Sequence, residues 1–382
     1  MSIGNESGAT ATQPLTVTVV IAAFTLDRWE LLVRAVESAG SQTLVPSQIV
    51  LCIDNNLELL ERCRTEWKEP LPSGVAVEVI PTEDSEHLAG RDEYGKVHGQ
   101  LHGGRRRFGA GSVRTTALFH ATGDIVAFLD DDAEAEPEWL EKLVETYADD
   151  AVIAVGGESL PNFETERPKW FPHEFDWVFG CSYAGTPRTV APIRHMIGAN
   201  MSARRQCLVE VGGFHAIDLD DMDACHRLAH RYPDGFIMYQ PDAIVHHYVS
   251  RNRVTWDYFW RRCYHMNKVK VGTLAELGEA ANLQSERDFV TKILTRQIVH
   301  HLRELASGDL AAGARLAVSL SGTGLAGLGN LAGKVALRRE AAGSRRADGS
   351  TRVDPVGNGT TPLRPAEPAV PDDRVPQHLN PR

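Results

Sequence analysis

An α/β fold, with a mixed but mostly parallel sheet flanked by helices, is the architecture expected of this 382-residue chain. The run Leu15–Phe24 is the β-branched, apolar kind that fills a strand buried on both faces. Behind it, Leu31, Leu32, Ala35, Val36 and Ala39 recur at helical spacing, and Gln48 to Ile53 is apolar again. Strand, helix and strand in that order make a right-handed βαβ unit.

The elements follow in turn. Asp54-Asn55-Asn56 closes the second strand, a helix is expected near Leu57 to Trp67, and a strand near Val75 to Ile80. Pro81 to Ala110 is polar and rich in Gly, His and Arg, including Arg105-Arg106-Arg107, and reads as a long loop of the sort that is functional or disordered. A helix from Ser112 to Ala121 leads to Gly123, and the strand Asp124–Leu129 runs into Asp130-Asp131-Asp132. Pro137 opens a helix that reaches Tyr147. Ala151 to Val155 is a strand, and Glu158 to Arg194 is aromatic, proline-rich and irregular. Gly198-Ala-Asn200 and Gly212-Gly-Phe214 punctuate a helix, Asp220 to Arg231 is a helix with an acidic first turn, and the strand Ala243–Val245 ends at His246-His247. From Leu274 the pattern is helical. The final 42 residues, from Ala341, hold seven of the 20 prolines and four glycines, a disordered composition. The resulting plan is a flexible leader (1–13), an α/β domain (14–272), a helical extension (273–340) and a disordered tail (341–382).

Forty Lys and Arg against 51 Asp and Glu give a net charge of -11, which repels a polyphosphate surface and argues against nucleic acid as a partner. The six cysteines are scattered without a zinc-binding spacing, as expected in a reducing compartment. Met1 to Gln13 lacks the basic start and apolar stretch of a secretory signal, so a cytoplasmic location is expected.

Paired carboxylates at a strand end suit a hard divalent cation, which takes oxygen ligands and leaves positions for substrate phosphates. If the strand continues, Asp130 and Asp132 point one way and Asp131 the other. The competing reading of three consecutive aspartates is a solvated turn that caps the next helix.

An ordered set of stretches decides between them. Val19–Phe24, Asp54–Asn56, Gly111–Arg114, Gly123–Asp132, Gly198–Met201, Gly212–Phe214, Asp220–Asp223 and Pro241–His247 together resemble a bacterial family 2 glycosyltransferase with the nucleotide-binding GT-A fold, over roughly Leu15 to Lys270. The resemblance implies a nucleotide-sugar donor, with Ala23 and Asp54 flanking the base and Arg114 near the base or phosphates. Asp130 would bind the ribose, and Asp131 is counted with the donor-binding group. Asp132 would hold a divalent cation, Mn or Mg, and His247 would complete its shell. Asp221 is the expected general base, with Asp220 as the alternative because the family pattern has Glu-Asp there. Thr115 stands where the family commonly has Asn. Arg251, Arg253, Arg261 and Arg262, interleaved with Trp256, Tyr258, Phe259 and Trp260, look like the segment that closes over the diphosphate, Arg253 foremost; a plain amphipathic helix has the same composition. The resemblance also implies inversion by single displacement. A nucleotidyltransferase is disfavoured because Phe24-Thr-Leu-Asp-Arg-Trp29 lacks a glycine-rich loop, and an inactive scaffold relative would be expected to lose the aspartates.

Leu316 to Gly333 is uncharged over 18 residues but holds five glycines, among them the small-xxx-small pair Gly329 and Gly333. Two readings stand: a segment lying on a membrane, held by flanking Arg315, Lys334, Arg338 and Arg339, or a helical hairpin packed on the catalytic domain. On the first, the acceptor is lipid-linked and contact with the membrane is peripheral; otherwise a soluble glycan serves.

Overall fold

The computed structural model describes residues 14–82, 100–102, 105–107, 109–215, 219–276 and 289–349, of which 100–107 and 340–349 are described by backbone alone. The leader 1–13, residues 83–99 of the expected loop and the tail beyond Gly349 lie outside them.

The βαβ unit forms as expected: β1 (Val17–Ala23), α1 (Trp29–Gly40) and β2 (Gln48–Ile53), with β1 and β2 parallel and Ala23 opposite Ile53. α2 (Leu57–Glu66) and β3 (Val77–Pro81) extend the parallel sheet outward. In the stretch read as loop, β4 (Gln100–His102) and β5 (Arg105–Arg107) pair as an antiparallel hairpin. α3 (Ala110–His120) carries the chain back to β6 (Ile125–Asp130), parallel to β1 on its other side. Then come β7 (Ala133–Ala135), α4 (Trp139–Thr146), β8 (Val152–Phe163), β9 (Ala191–Pro192), β10 (Asn200–Arg204), α5 (Arg205–Glu210), α6 (Asp220–Arg231) and β11 (Phe236–Val249). The sheet runs β3-β2-β1-β6-β10-β8-β11-β7 with β9 beside β11, and β10 is antiparallel to both neighbours.

Two strands outrun their apolar patterns. β8 continues to Phe163 and β11 begins at Phe236 because the two pair in parallel along their lengths. The register shift between Gln240 and Ile244 absorbs Pro241, which cannot donate to a ladder. Tertiary pairing thus makes strand of residues whose polarity reads as loop.

Alternation along the strands sorts the core into two layers. Val19, Ile21, Leu51, Ile125 and Leu129 face α1, α2 and α4, while Val20, Val50, Val126 and Phe128 face α3, α5 and α6. A third cluster, Phe171, Phe175, Phe179, Phe259, Leu294 and Val318, joins a 3-10 helix (His173–Phe179) to α7 (Trp256–Glu276), α8 (Thr295–Ala306) and α9 (Leu310–Gly349). The aromatic middle segment expected to be irregular is therefore ordered by ring packing, with Phe171 and Phe259 edge to face at 5.5 Å.

α7 crosses the expected boundary at residue 272 without a break. α9 continues past Ala341, where the disordered tail is expected to begin. No helix breaker intervenes there, and the tail's prolines start only at Pro355. Among the described residues no helix is long and apolar enough to cross a membrane.

Candidate active site

The carboxyl ends of β1, β2 and β6 meet where the chain leaves β1 toward β2 on one side and β6 on the other, the crevice at which open α/β sheets bind ligands. Asp130 is the last residue of β6 and follows Val126 and Phe128 onto the α3 face. There Arg114 of α3 donates to Asp130 Oδ1 (2.9 Å), to Asp220 Oδ2 (2.8 Å) and to the carbonyl of Gly198 (3.2 Å).

The strand stops at Asp130, so the expected alternation through Asp132 does not hold. Asp131 and Asp132 lie in the following turn, and both face Arg28, whose Nη1 is 2.9 Å from Asp131 Oδ1 and from Asp132 Oδ2. Antiparallel pairing of β7 with β11 sets His247 opposite Ala133, which brings its Nε2 to 3.1 Å from Asp132 Oδ1. His246 points the other way and meets Glu136 at 3.0 Å. Alternation along a strand thus separates two adjacent histidines that composition alone leaves equivalent.

Asp130, Asp132 and His247 each present one ligand atom, all within 4.8 Å of one another. Two carboxylates and an imidazole converging from three elements match the donor set of a small divalent ion that keeps open positions. Asp131 Oδ2, buried beside Asp132, has no hydrogen-bond partner, an imbalance that a nearby cation relieves. The donor set therefore fits the expected cation.

Burial, then the charge of Asp132, push the Asp131 carboxyl up to about 7 against the pull of Arg28. For Asp132, burial acts in the same upward direction, but His247 and Arg28 outweigh it and hold the carboxyl down at about 2. The reciprocal effect raises His247 to about 10, against the burial that favours its neutral form.

Asp54 is buried at the end of β2, its amide bonded to the Ala23 carbonyl (2.8 Å) and its Oδ2 accepting from Gly109 N at 3.3 Å. Asn56 instead caps α2 through Leu59 N (3.2 Å) and holds the Phe24 carbonyl (3.0 Å). At the start of α6, Asp220 is committed to Arg114. Asp221 accepts from Gly198 N (3.0 Å) and from Met222 N (2.7 Å), and burial followed by the Asp220 charge raises it to about 6. Asp223 pairs with Arg227 at 2.7 Å. Arg253 donates to the Phe179 carbonyl (2.7 Å) and Tyr258 Oη (3.1 Å), which sets the segment after β11 as a short 3-10 turn leading into α7. The structure thus joins Asp130, Arg114, Asp220 and Asp221 in one hydrogen-bonded chain and Asp131, Asp132 and His247 in another.

Arg28 is the site residue that motif reading missed. Its position just past the carboxyl end of the first strand becomes a signal only once β6, which delivers the aspartates, is known to pair with β1. Thr115, the departure from the family pattern, bonds both the amide and the carbonyl of Phe214 at 2.8 Å and so ties α3 to the Gly212-Gly-Phe214 turn.

The chain is similar to several known proteins. Residues 99–212 match the family model described as Glycosyl transferase family 2. The chain is 28% identical over 261 residues to the glucosyl-dolichyl phosphate glucuronosyltransferase of Haloferax volcanii, an alignment covering 64% of this chain and 74% of the relative. It is 28% identical over 168 residues to the succinoglycan biosynthesis protein ExoM of Rhizobium meliloti, covering 43% and 52%. Among solved structures, the mannosyltransferase PcManGT of Pyrobaculum calidifontis, in complex with GDP-Man and Mn2+, aligns with a TM-score of 0.48 at 19% identity, over 85% of this chain and 87% of that one.

Proposed function

We propose that this chain, a member of glycosyltransferase family 2, moves a sugar from a nucleotide-diphosphate donor to an acceptor hydroxyl with inversion at the anomeric carbon. The observation that carries this reading is the convergence of Asp130, Asp132 and His247 within 4.8 Å at the sheet's switch point. A bound Mn or Mg ion there supplies Lewis-acid neutralisation of the charge that develops on the departing nucleoside diphosphate.

The chain's own residues do the rest. Asp132 and His247 hold the ion, and Asp130, steadied by Arg114, meets the ribose. Ala23 and Asp54 flank the base, and a buried carboxylate suits the imide-like edge of a pyrimidine or guanine. Asp131 and Arg253 border the diphosphate, where Arg253 adds positive charge. Asp221 takes the acceptor proton. Its neighbour Asp220 is paired with Arg114, whereas Asp221 has no cation of its own at hydrogen-bond distance and burial holds it up at about 6, which suits a base. The acceptor is a glycan or lipid-linked glycan hydroxyl of the cell envelope, presented at the cytoplasmic face of the membrane. The names of the Haloferax and Rhizobium relatives, one acting on a dolichyl phosphate sugar and one in succinoglycan biosynthesis, support that class.

The test is a panel of UDP-, GDP- and dTDP-sugars with Mn or Mg, scored by thermal shift and by nucleotide release. One donor is expected to stabilise the protein only with the metal, and Asp132→Ala is expected to abolish that shift. A donor shift of full size in the presence of chelator would overturn the reading.

A further inference from the structure

α9 splits lengthwise into two unlike faces. One is packed: Gly322 lies against the rings of Phe175 and Phe259, and a Cβ on Gly329 or Gly333 would stand 2.2 Å from the Tyr264 carbonyl or 2.6 Å from that of Lys268. The small-xxx-small pair therefore seats α9 on α7. The other face holds Leu320, Gly324, Gly327, Leu328, Leu331 and Val335, which at about 100° per residue fall within roughly a third of the helix circumference.

That second face is apolar and open. Leu320, Leu328 and Leu331 are 55%, 57% and 59% exposed, and no charged residue interrupts Leu316 to Gly333. Single exposed leucines are ordinary, whereas a continuous uncharged stripe along one helix face marks a surface that something covers.

Charge says what covers it. Residues 251–340 hold 14 Lys and Arg against 8 Asp and Glu, while residues 1–250 hold 20 against 38. α9 itself carries Arg315, Lys334, Arg338 and Arg339 and no Asp or Glu from Leu310 to Arg339, with exposed Lys334 next to the stripe. A second copy docked on this face would set two cationic rims against each other, while an anionic bilayer opposes neither its charge nor its apolar centre.

We propose that the open face of α9 lies on the surface of an anionic lipid membrane. The leucines enter the acyl boundary, Lys334 meets lipid phosphates, and the glycine face keeps the helix fastened to the enzyme. The contact is peripheral, and it depends on no particular donor or acceptor.

The test is co-sedimentation of the full chain with vesicles of phosphatidylcholine alone and of phosphatidylcholine with phosphatidylglycerol. Binding is expected to the anionic vesicles and to weaken with salt. The double variant Leu328→Glu, Leu331→Glu is expected to bind them about tenfold more weakly or worse, because charge replaces both inserted side chains. Its melting temperature and its metal-dependent donor shift should stay at wild-type values, which separates loss of docking from loss of fold. Lys334→Glu should reduce binding to the anionic vesicles only. Equal binding by wild type and double variant would overturn the proposal. So would a wild-type chain that ignores anionic vesicles, including one that instead forms a concentration-dependent dimer broken by the same double variant. A negative vesicle result leaves the glycosyl-transfer reading untouched, since donor binding is measured without lipid.

Discussion

Charge pairing at the level of single residues distinguishes groups that the motifs leave alike. Asp220 and Asp221 are adjacent acids in one helical turn, yet only Asp220 has a guanidinium at hydrogen-bond distance. Asp221→Asn is therefore expected to keep the metal-dependent donor shift while lowering kcat by a factor on the order of 10²–10⁴. Full turnover in that variant would return the role of base to Asp220. The pH profile follows from the same group. Burial and Asp220 hold Asp221 at about 6, and a base works only when deprotonated, so kcat should rise as pH climbs through about 6 and then level. Arg28 gives the second test at this scale. It is the cation that faces both Asp131 and Asp132, and it is about a third exposed, so its loss is cushioned by solvent. Arg28→Gln should cost about 1–3 kcal/mol in chelator and measurably less with Mn present, as read by paired thermal melts. An equal loss in both conditions would mean that the aspartates do not take the ion. No motif points to Arg28, because its importance lies in β1 and β6 being neighbours, which spacing along the chain does not encode.

Whole elements were legible where the buried pattern is continuous. β1, β2 and β6 are apolar apart from Thr18, Gln48 and Asp130, and α6 has its acidic first turn, so each is recognisable within a residue or two. β8 and β11 were cut short in the sequence reading because Glu158, Pro161 and Pro241 look like breakers until the partner strand is known. The uncharged stretch of α9 carried two readings, and its glycines now tell its faces apart. Gly329→Ala places a methyl 2.2 Å from the Tyr264 carbonyl, backbone that cannot step aside, and should cost about 1–3 kcal/mol by overpacking. Gly324→Ala and Gly327→Ala meet nothing within 4 Å and should each stabilise the helix by about 0.5–1 kcal/mol. Thermal melts of the three single variants decide the matter. Destabilisation by Gly324→Ala as large as that by Gly329→Ala would mean that both faces are packed.

Across the molecule, a boundary at residue 272 follows the change in composition but not the packing. Composition registers where motifs end, whereas the third core is assembled from Phe171, Phe175 and Phe179 before that point and Leu294 and Val318 after it. At its centre Glu174 is fully buried and accepts from Ser319 Oγ at 2.7 Å, with His301 Nε2 at 3.1 Å from the same oxygen. A chain cut after residue 272 would lose both of those partners and uncover the rings of Phe175 and Phe259. Breaking a buried pair from one side costs about 3–5 kcal/mol, and each uncovered phenylalanine about 1.5–3 kcal/mol more. Losses of that size rival the whole stability of an ordinary domain, so the shortened chain is expected to melt far below the full one and to bind a hydrophobic dye at room temperature. A chain cut after Gly349 keeps every one of these contacts and should melt with the full protein. Coincident melts of the 272-residue and full chains would show that α8 and α9 contribute nothing to the catalytic core.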